Sequence, residues 1–431
     1  MATADPQGKP ELTSGAGQLP DLLRRFWLRS VAAFVLMFLM VYLQGLHAGP
    51  GDRFSPLVDP IFGDLLEYIP TFQLLHTDAF FNTTSLAYPA VAYPPFGAVL
   101  YALVYSVSRP VLLYLGVAAL WMGLAVWGVR RALIQHGISR VPATLFPLSI
   151  LVVSFPVAGL LQRGNIELFL WIFTATGVWA YLHDRDDAAA ILWACAAAAK
   201  LYPIIFLVLL LPRRKYRAFL LGVASFVLIS LASMKYLGPS IPVALRGSLH
   251  NVFGYQGARA AEWTKHDLGT NHSFFSLVKA VAQLFRAPTA HLTMPYYACG
   301  ALLFAVVFFG RVRKMPVANQ LLTVSLFMVM LPPISYFYTL VHLYAAWLVL
   351  VFAAIRADRL GVQIRGLSTV MLLFVPVFAA YTLLTYPGIH VWGGPVQALC
   401  LTGLFICAVR FPFAVTQDAK LPAPVSVPSE M

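Results

Sequence analysis

Apolar residues run along this chain in blocks of membrane-spanning length, separated by short polar stretches that carry most of the charge. Clear runs cover 30–46, 110–129, 142–160, 165–182, 217–235, 294–310, 317–333, 335–355, 367–386 and 394–410. A helix needs about 20 apolar residues to cross a bilayer core, so the pattern predicts an all-α polytopic membrane protein. Two long polar segments interrupt it, at about 47–93 and 236–293. The expected organisation is a cytoplasmic N-terminal segment (1–29), a transmembrane domain (30–410) and a disordered cytoplasmic tail (411–431). No internal repeat divides the chain into similar halves.

Two segments are ambiguous. Tyr93–Ser108 is apolar but short, opens on Pro94-Pro95 and ends at Arg109-Pro110. Ala188–Leu211 holds one charge, Lys200, and is too short for two crossings, which need about 40 residues. Charge decides between layouts, because Lys and Arg accumulate in cytoplasmic loops. Suppose 93–108 only dips into the outer leaflet and 188–211 makes two half-spans that turn near Lys200. Then Arg130, Arg131, Arg140, Arg185 and the Arg213–Arg217 cluster all lie inside, as do Arg311, Arg356 and Arg410. That layout has about twelve crossings with both termini cytoplasmic. A rival with one full crossing in each segment also gives twelve, but strands Arg130, Arg131 and Arg140 outside. The first layout is preferred, and it gathers both long loops, the Gln162–Asn165 turn and Lys200 on the extracytoplasmic side.

Composition narrows the class further. The chain has 431 residues, 60% hydrophobic and only 11% charged, with a mean hydropathy of +0.76, which excludes a soluble protein. Its net charge of +13 sits in short loops between apolar runs, the signature of topology rather than of nucleic-acid binding. The four cysteines lie in apolar runs without a CxxC pair and read as small buried hydrophobes. The run at 30–46 follows Arg24, Arg25 and Arg29 and reads as an uncleaved anchor. No Walker A loop, GxSxG, HExxH or dinucleotide fingerprint occurs. No metal site and no cofactor are expected.

Candidate chemistry concentrates in a few places. The first loop contains "FGDLLEYIPTFQLL", whose rhythm suggests a helix on the membrane surface with Asp64, Glu67 and Tyr68 along one face. A carboxylate held there can act as general base on a hydroxyl; composition alone favours a solvated loop face. "LLQRGNIELFL" packs Gln162, Arg163, Asn165 and Glu167 into a tight turn between two spans, either a hydrated turn or the floor of an anion pocket. Lys200 precedes Pro203, which helps to break the run; it suits a point-charge contact to phosphate, with snorkelling as the simpler alternative. The second loop carries His266, Asn271 and His272, without persuasive metal-ligand spacing. "SYFYTLVH" adds Tyr336, Tyr338 and His342, which taken alone read as core residues.

Taken in order, these motifs resemble membrane glycosyltransferases of the GT-C class. They are most similar to glycosyltransferase family 87, the polyprenol-phosphate-mannose-dependent mannosyltransferases, with a secondary likeness to the first mannosyltransferase of GPI-anchor synthesis. The likeness rests on Asp64–Tyr68, "YPPF" at Tyr93–Phe96, Arg163-Gly164-Asn165, "AKLYP" around Lys200 and "NHSF" at Asn271–Phe274. It runs from about residue 30 to 350. "QRGN" is nearer the GPI-type turn, and "SYFYTLVH" lacks the family's adjacent histidines.

The resemblance implies a GT-C-like fold and inverting transfer of a sugar, mannose favoured, from a polyprenyl-phosphate donor to a lipid or glycan hydroxyl. The site would be extracytoplasmic, in the cell inner (plasma) membrane. It implies Asp64 as the base, since its distance to the Tyr-Pro-Pro-Phe motif suits the family better than that of Asp59. Lys200 and Arg163 would hold the donor phosphate. Glu67, Tyr68, Tyr93, Asn165, His266, Asn271, His272, Tyr336 and His342 would contact sugar or acceptor. Two alternatives stay open: a lipid-carrier or solute transporter, which twelve spans and a buried lysine also suit, and an inactive accessory subunit of an envelope-polysaccharide machine.

Overall fold

The computed structural model describes residues 18–47, 61–82, 90–261, 271–285, 289, 292–378 and 393–414. Helices make up 79% of it, with no strand among the described residues. Helix α1 (Asp21–His47) precedes two single turns, α2 (Gly63–Leu66) and α3 (Ile69–Phe72), then α4 (Pro95–Tyr105), α5 (Pro110–Gln135), α6 (Arg140–Val152) and α7 (Phe155–Arg163). Next come α8 (Glu167–Leu182), α9 (Asp186–Ala199), a 3-10 helix over Tyr202–Leu210, α10 (Tyr216–Leu237), α11 (Ile241–Ala261) and α12 (Phe274–Leu284). The order closes with α13 (Thr293–Gly310), α14 (Val317–Met330), a 3-10 helix over Phe337–His342, α15 (Leu343–Arg359), α16 (Leu367–Phe378) and α17 (Gly393–Arg410).

Among the described residues, four stretches are long and apolar enough to cross a membrane: Pro110–Gln135, Tyr216–Leu237, Thr293–Lys314 and Phe337–Arg359. Helices α6 and α7, bent by 55°, make a fifth if counted together. Large apolar side chains such as Leu120, Leu228 and Leu302 stand exposed on the long helices, as a lipid-facing surface requires. The fold is thus all-α and of membrane type. Among the described residues fewer helices reach spanning length than the run pattern suggests, and backbone breaks divide some of the apolar runs.

The clearest break is at Lys200. Its backbone is extended, with φ −148° and ψ 135°, between α9 and the 3-10 helix. The two arms lie side by side: Trp193 stacks on Phe206 at 5.4 Å. At the open end Lys215 Nζ lies 3.0 Å from an Asp186 carboxylate oxygen. The arms are 14 and 9 residues long, or about 21 Å and about 18 Å. A run too short for two full crossings therefore folds as a hairpin of two half-length arms. Alanine makes this possible: Ala189, Ala190, Ala194 and Ala196–Ala199 are fully buried, and small side chains let neighbouring helices approach.

The hairpin gives the molecule two ends. Glu167 opens α8 and Lys200 closes α9, while Arg185 and Arg213 lie at the far end of the same pair. Tyr114, early in α5, donates to the Leu160 and Asn165 carbonyls; Arg130, late in α5, donates to Thr144 of α6. The Arg359 guanidinium packs against Gly137 in the α5–α6 turn. Arg130, Arg131, Arg140, Arg185, the Arg213–Arg217 cluster and Arg359 therefore share the end remote from Lys200.

Two expectations change. The surface helix over 62–75 is not continuous: Pro70 cannot carry the ladder on, and α2 and α3 are separate turns. As a result Asp64 and Tyr68 point inward while Glu67 is exposed. Likewise the second long segment is not one polar loop, since α11 and α12 occupy much of it.

Close packing at the hairpin tip yields a test. A Cβ on Gly97 of α4 would lie 2.7 Å from the Ala199 carbonyl oxygen, a backbone atom that cannot swing aside. Gly97→Ala is expected to cost about 1–3 kcal/mol and to lower the unfolding midpoint of the detergent-solubilised protein. Gly116→Ala, where a Cβ meets nothing within 4 Å, should leave it unchanged or raised. Equal midpoints would refute this contact.

Candidate active site

The site is built on the turn between α7 and α8. Gly164 takes the left-handed conformation, φ +65°, and a Cβ there would lie 2.6 Å from the Leu65 Cβ. Glycine thus lets α2 settle onto the turn, where the Phe62 amide donates to the Gln162 carbonyl at 2.6 Å. That contact delivers Asp64. One oxygen of its buried carboxylate accepts from the Arg163 guanidinium. The other accepts from Asn165 Nδ2 at 2.6 Å. Asn165 is itself fixed, because its Oδ1 accepts the Glu167 amide at 3.0 Å and its carbonyl accepts the Tyr114 hydroxyl. Burial, reinforced by Glu67, pushes the Tyr68 phenol well above its ordinary value, so it stands beside Asp64 as a neutral donor.

A second carboxylate sits two residues past Asn165. Glu167 has no solvent exposure, and an unpaired charge there would be costly. Lys200 Nζ donates to its Oε1 at 2.5 Å, and the Tyr202 hydroxyl donates to the same oxygen. His342 Nε2 lies 2.7 Å from Oε2, and the ring is held from behind by Thr174 Oγ1, 3.1 Å from Nδ1. Lys200 also stands over the Tyr93 ring, 5.4 Å from its centroid. Tyr93 in turn packs edge-on against Tyr68 at 5.8 Å. Two carboxylate–cation pairs thus share one turn and one aromatic wall.

Asp64, Tyr68, Tyr93, Arg163, Asn165, Lys200 and His342 come together as described, with Glu67 exposed at the end of α2. Lys200 and Arg163, expected to hold phosphate, are each already paired with a carboxylate. Asn271 and His272 are held by buried hydrogen bonds within the chain. Asn271 donates to the Pro333 carbonyl and accepts the Ser273 and Ser335 amides. His272 Nε2 lies 3.1 Å from Ser335 Oγ. Both are fully buried, and these contacts clamp the segment leading to the Phe337–His342 helix. Tyr336 pairs with Asn271 in an isolated antiparallel bridge. His266 lies outside the described residues.

Sequence reasoning missed Glu167 as the centre of a cluster, and with it Tyr202, Thr174 and Tyr114. The signal for Glu167 and Tyr202 was present: a carboxylate opening an apolar helix, and a tyrosine beside the one lysine of an apolar run. Chemically, the arrangement offers a carboxylate able to take a proton and cations able to receive a departing anion. Among the described residues no group of three or more His, Cys, Asp or Glu could hold a metal ion.

A model of glycosyltransferase family 87 matches residues 91–333, more than half of the chain. The protein belongs to glycosyltransferase family 87. No curated protein matches it. The family match spans Tyr93, the Arg163–Glu167 turn and the Lys200 hairpin, so the paired charges lie in the part that makes this chain a family 87 glycosyltransferase; Asp64 and His342 reach that part from either side.

The Glu167 cluster makes a stability prediction. Removing one member of a buried ion pair typically costs about 3–5 kcal/mol, so Glu167→Gln and Lys200→Met should each lower the unfolding midpoint strongly. The double variant should lose less than the two single losses combined. Additive losses in this cycle would mean that the pair does not interact.

Proposed function

We propose that this family 87 member transfers a hexose, mannose in the first place, from a polyprenyl-phosphate sugar to a hydroxyl of a cell-envelope lipid or glycan. The reading places the reaction on the extracytoplasmic face of the inner membrane, in a GT-C-like fold of about twelve crossings. What supports it is one observation: two buried carboxylate–cation pairs meet on the Arg163–Glu167 turn, at the end opposite the basic clusters. Basic loops favour the cytoplasm, which leaves the paired end facing outward.

In this mechanism the acceptor oxygen attacks the anomeric carbon from the face opposite the phosphate. Asp64 takes the acceptor proton. The bond between the anomeric carbon and the phosphate oxygen breaks, its electron pair stays on that oxygen, and configuration inverts. The polyprenyl monophosphate gains one negative charge, which Lys200 and Arg163 stabilise. Asp64 suits the base better than Glu167 because its pair is more open. The Arg163 and Asp64 side chains are 27% and 10% exposed, whereas Glu167 is sealed. Glu67, Tyr68, Tyr93, Asn165 and Tyr336 stand where sugar and acceptor hydroxyls would pass, with His342 acting through Glu167.

The test is transfer from labelled polyprenyl-phosphate mannose by purified protein to extracted envelope lipids and glycans. Asp64→Asn should cut transfer per folded molecule by about 10²–10⁴-fold, the usual contribution of a general base, beyond any loss of stability from breaking the Arg163 pair. A wild-type protein that transfers nothing yet moves the donor across liposomes would be a transporter.

Topology is testable separately. In a chain with its four cysteines replaced, a cysteine at Arg131 should resist an impermeant reagent added outside intact cells. Labelling there would invert the orientation.

A further inference from the structure

Two basic clusters occupy the end remote from the active site, and they are satisfied differently. Around the α9–α10 connection, Arg213 pairs with Asp184 at 3.1 Å and Lys215 with Asp186 at 3.0 Å, while Arg217 lies 3.7 Å from Asp187. Three of its cations thus have carboxylate partners. Around the α5–α6 turn, Arg130, Arg131 and Arg140 have no carboxylate partner among the described residues. Arg130 uses its Nε on Thr144, and the Arg131 guanidinium stands over the Trp127 ring at 5.6 Å. Arg359 packs against Gly137 in the same turn and adds a further cation.

Through Arg130 this cluster borders an apolar groove of about 570 Å3 between α5 and the bent α6–α7 pair. Arg130 and Trp127 belong to its lining. From there it runs over Met122, Gly123 and Val126 of α5, past Leu148 and Val152, to Leu161 of α7. The 55° bend between α6 and α7 swings their axes apart, and Gly123 leaves the wall bare, since a Cβ there would meet nothing within 4 Å.

We infer that the groove binds one anionic phospholipid, its phosphate on Arg130 and Arg131 and an acyl chain along the groove toward Leu161. Charge complementarity selects the head: guanidinium groups are well matched to phosphate oxygens, and Trp127 is the residue type that favours the headgroup level. Depth selects the tail, because α5 is of spanning length and its groove opens to the bilayer interior. The volume admits a hydrocarbon chain, not a helix about 10 Å across. Leu161 is two residues before Arg163, so the bound chain braces the helix that carries the active-site turn.

The test uses purified full-length protein in nanodiscs of phosphatidylcholine, with and without phosphatidylglycerol. Retained lipid is read by native mass spectrometry and stability by unfolding midpoint. Phosphatidylglycerol should be retained and should raise the midpoint of the wild type. Arg130→Gln with Arg131→Gln should weaken retention roughly tenfold, given the attraction of each cation to an anionic lipid surface. Gly123→Trp should lose retention with both arginines intact, and Val126→Trp serves if Gly123→Trp misfolds in phosphatidylcholine alone. Equal response to both lipids, unchanged retention in the variants, or the same midpoint shift from soluble glycerol phosphate would each overturn the proposal. So would retention of a protein subunit in place of lipid.

Discussion

A fully buried carboxylate, Glu167, is the constraint around which the rest is arranged. It opens α8 in a protein whose surroundings offer little water, so its charge must be met by the chain itself. The partners come from far away in sequence: Lys200 and Tyr202 from the hairpin tip, and His342 from the 3-10 helix before α15. Each can arrive only because its own helix is interrupted. Lys200 sits at an extended residue, and His342 ends a 3-10 stretch rather than lying inside a helix. The broken helices and the buried charge are thus one design: the breaks bring the partners in, and the ion pairs fix where the breaks fall.

Interrupted helices free backbone groups that a membrane interior cannot hydrate. The structure answers with side chains. The Tyr114 hydroxyl donates to the Leu160 and Asn165 carbonyls around the turn, Ser154 caps α7 at the bend, and Asn271 ties down Pro333 and Ser335. At the opposite end the chain uses charge for another purpose. There Asp184, Asp186 and Asp187 gather the arginines and the lysine after the hairpin, closing its arms. The same residue types therefore hold a hairpin shut at one end and line the buried polar turn at the other.

Run lengths and charge placement made the class of fold legible, along with the break at Lys200 and the separation of basic loops from the polar turn. Local motifs also marked Asp64, Arg163 and Asn165. What stayed hidden was pairing across sequence. Glu167 read as a turn residue because nothing near it in the chain announces His342, and His342 read as core because "YTLVH" is apolar around it. For Asn271 and His272 the contacts stayed hidden in the same way: nothing near them in the chain announces Pro333, Ser335 or Thr339, some sixty residues on. An apolar run also does not reveal where its backbone breaks, as the extended residue at Lys200 shows.

The pairing of every cation near the turn bears on how such a site can wait for an anionic substrate. A lysine or arginine left alone at this depth would cost several kcal/mol. Giving each a carboxylate removes that cost but sets up a competition, since an arriving phosphate must share or displace the existing partner. The two pairs answer this differently. Glu167 is sealed and held by three side chains, so Lys200 keeps its anchor and offers only its remaining donors. Asp64 has fewer and more exposed contacts, and its Arg163 can turn to a phosphate. On the proposed reading, that turn frees the Asp64 oxygen that Arg163 now occupies, so the arrival of the donor and the exposure of the base become one event.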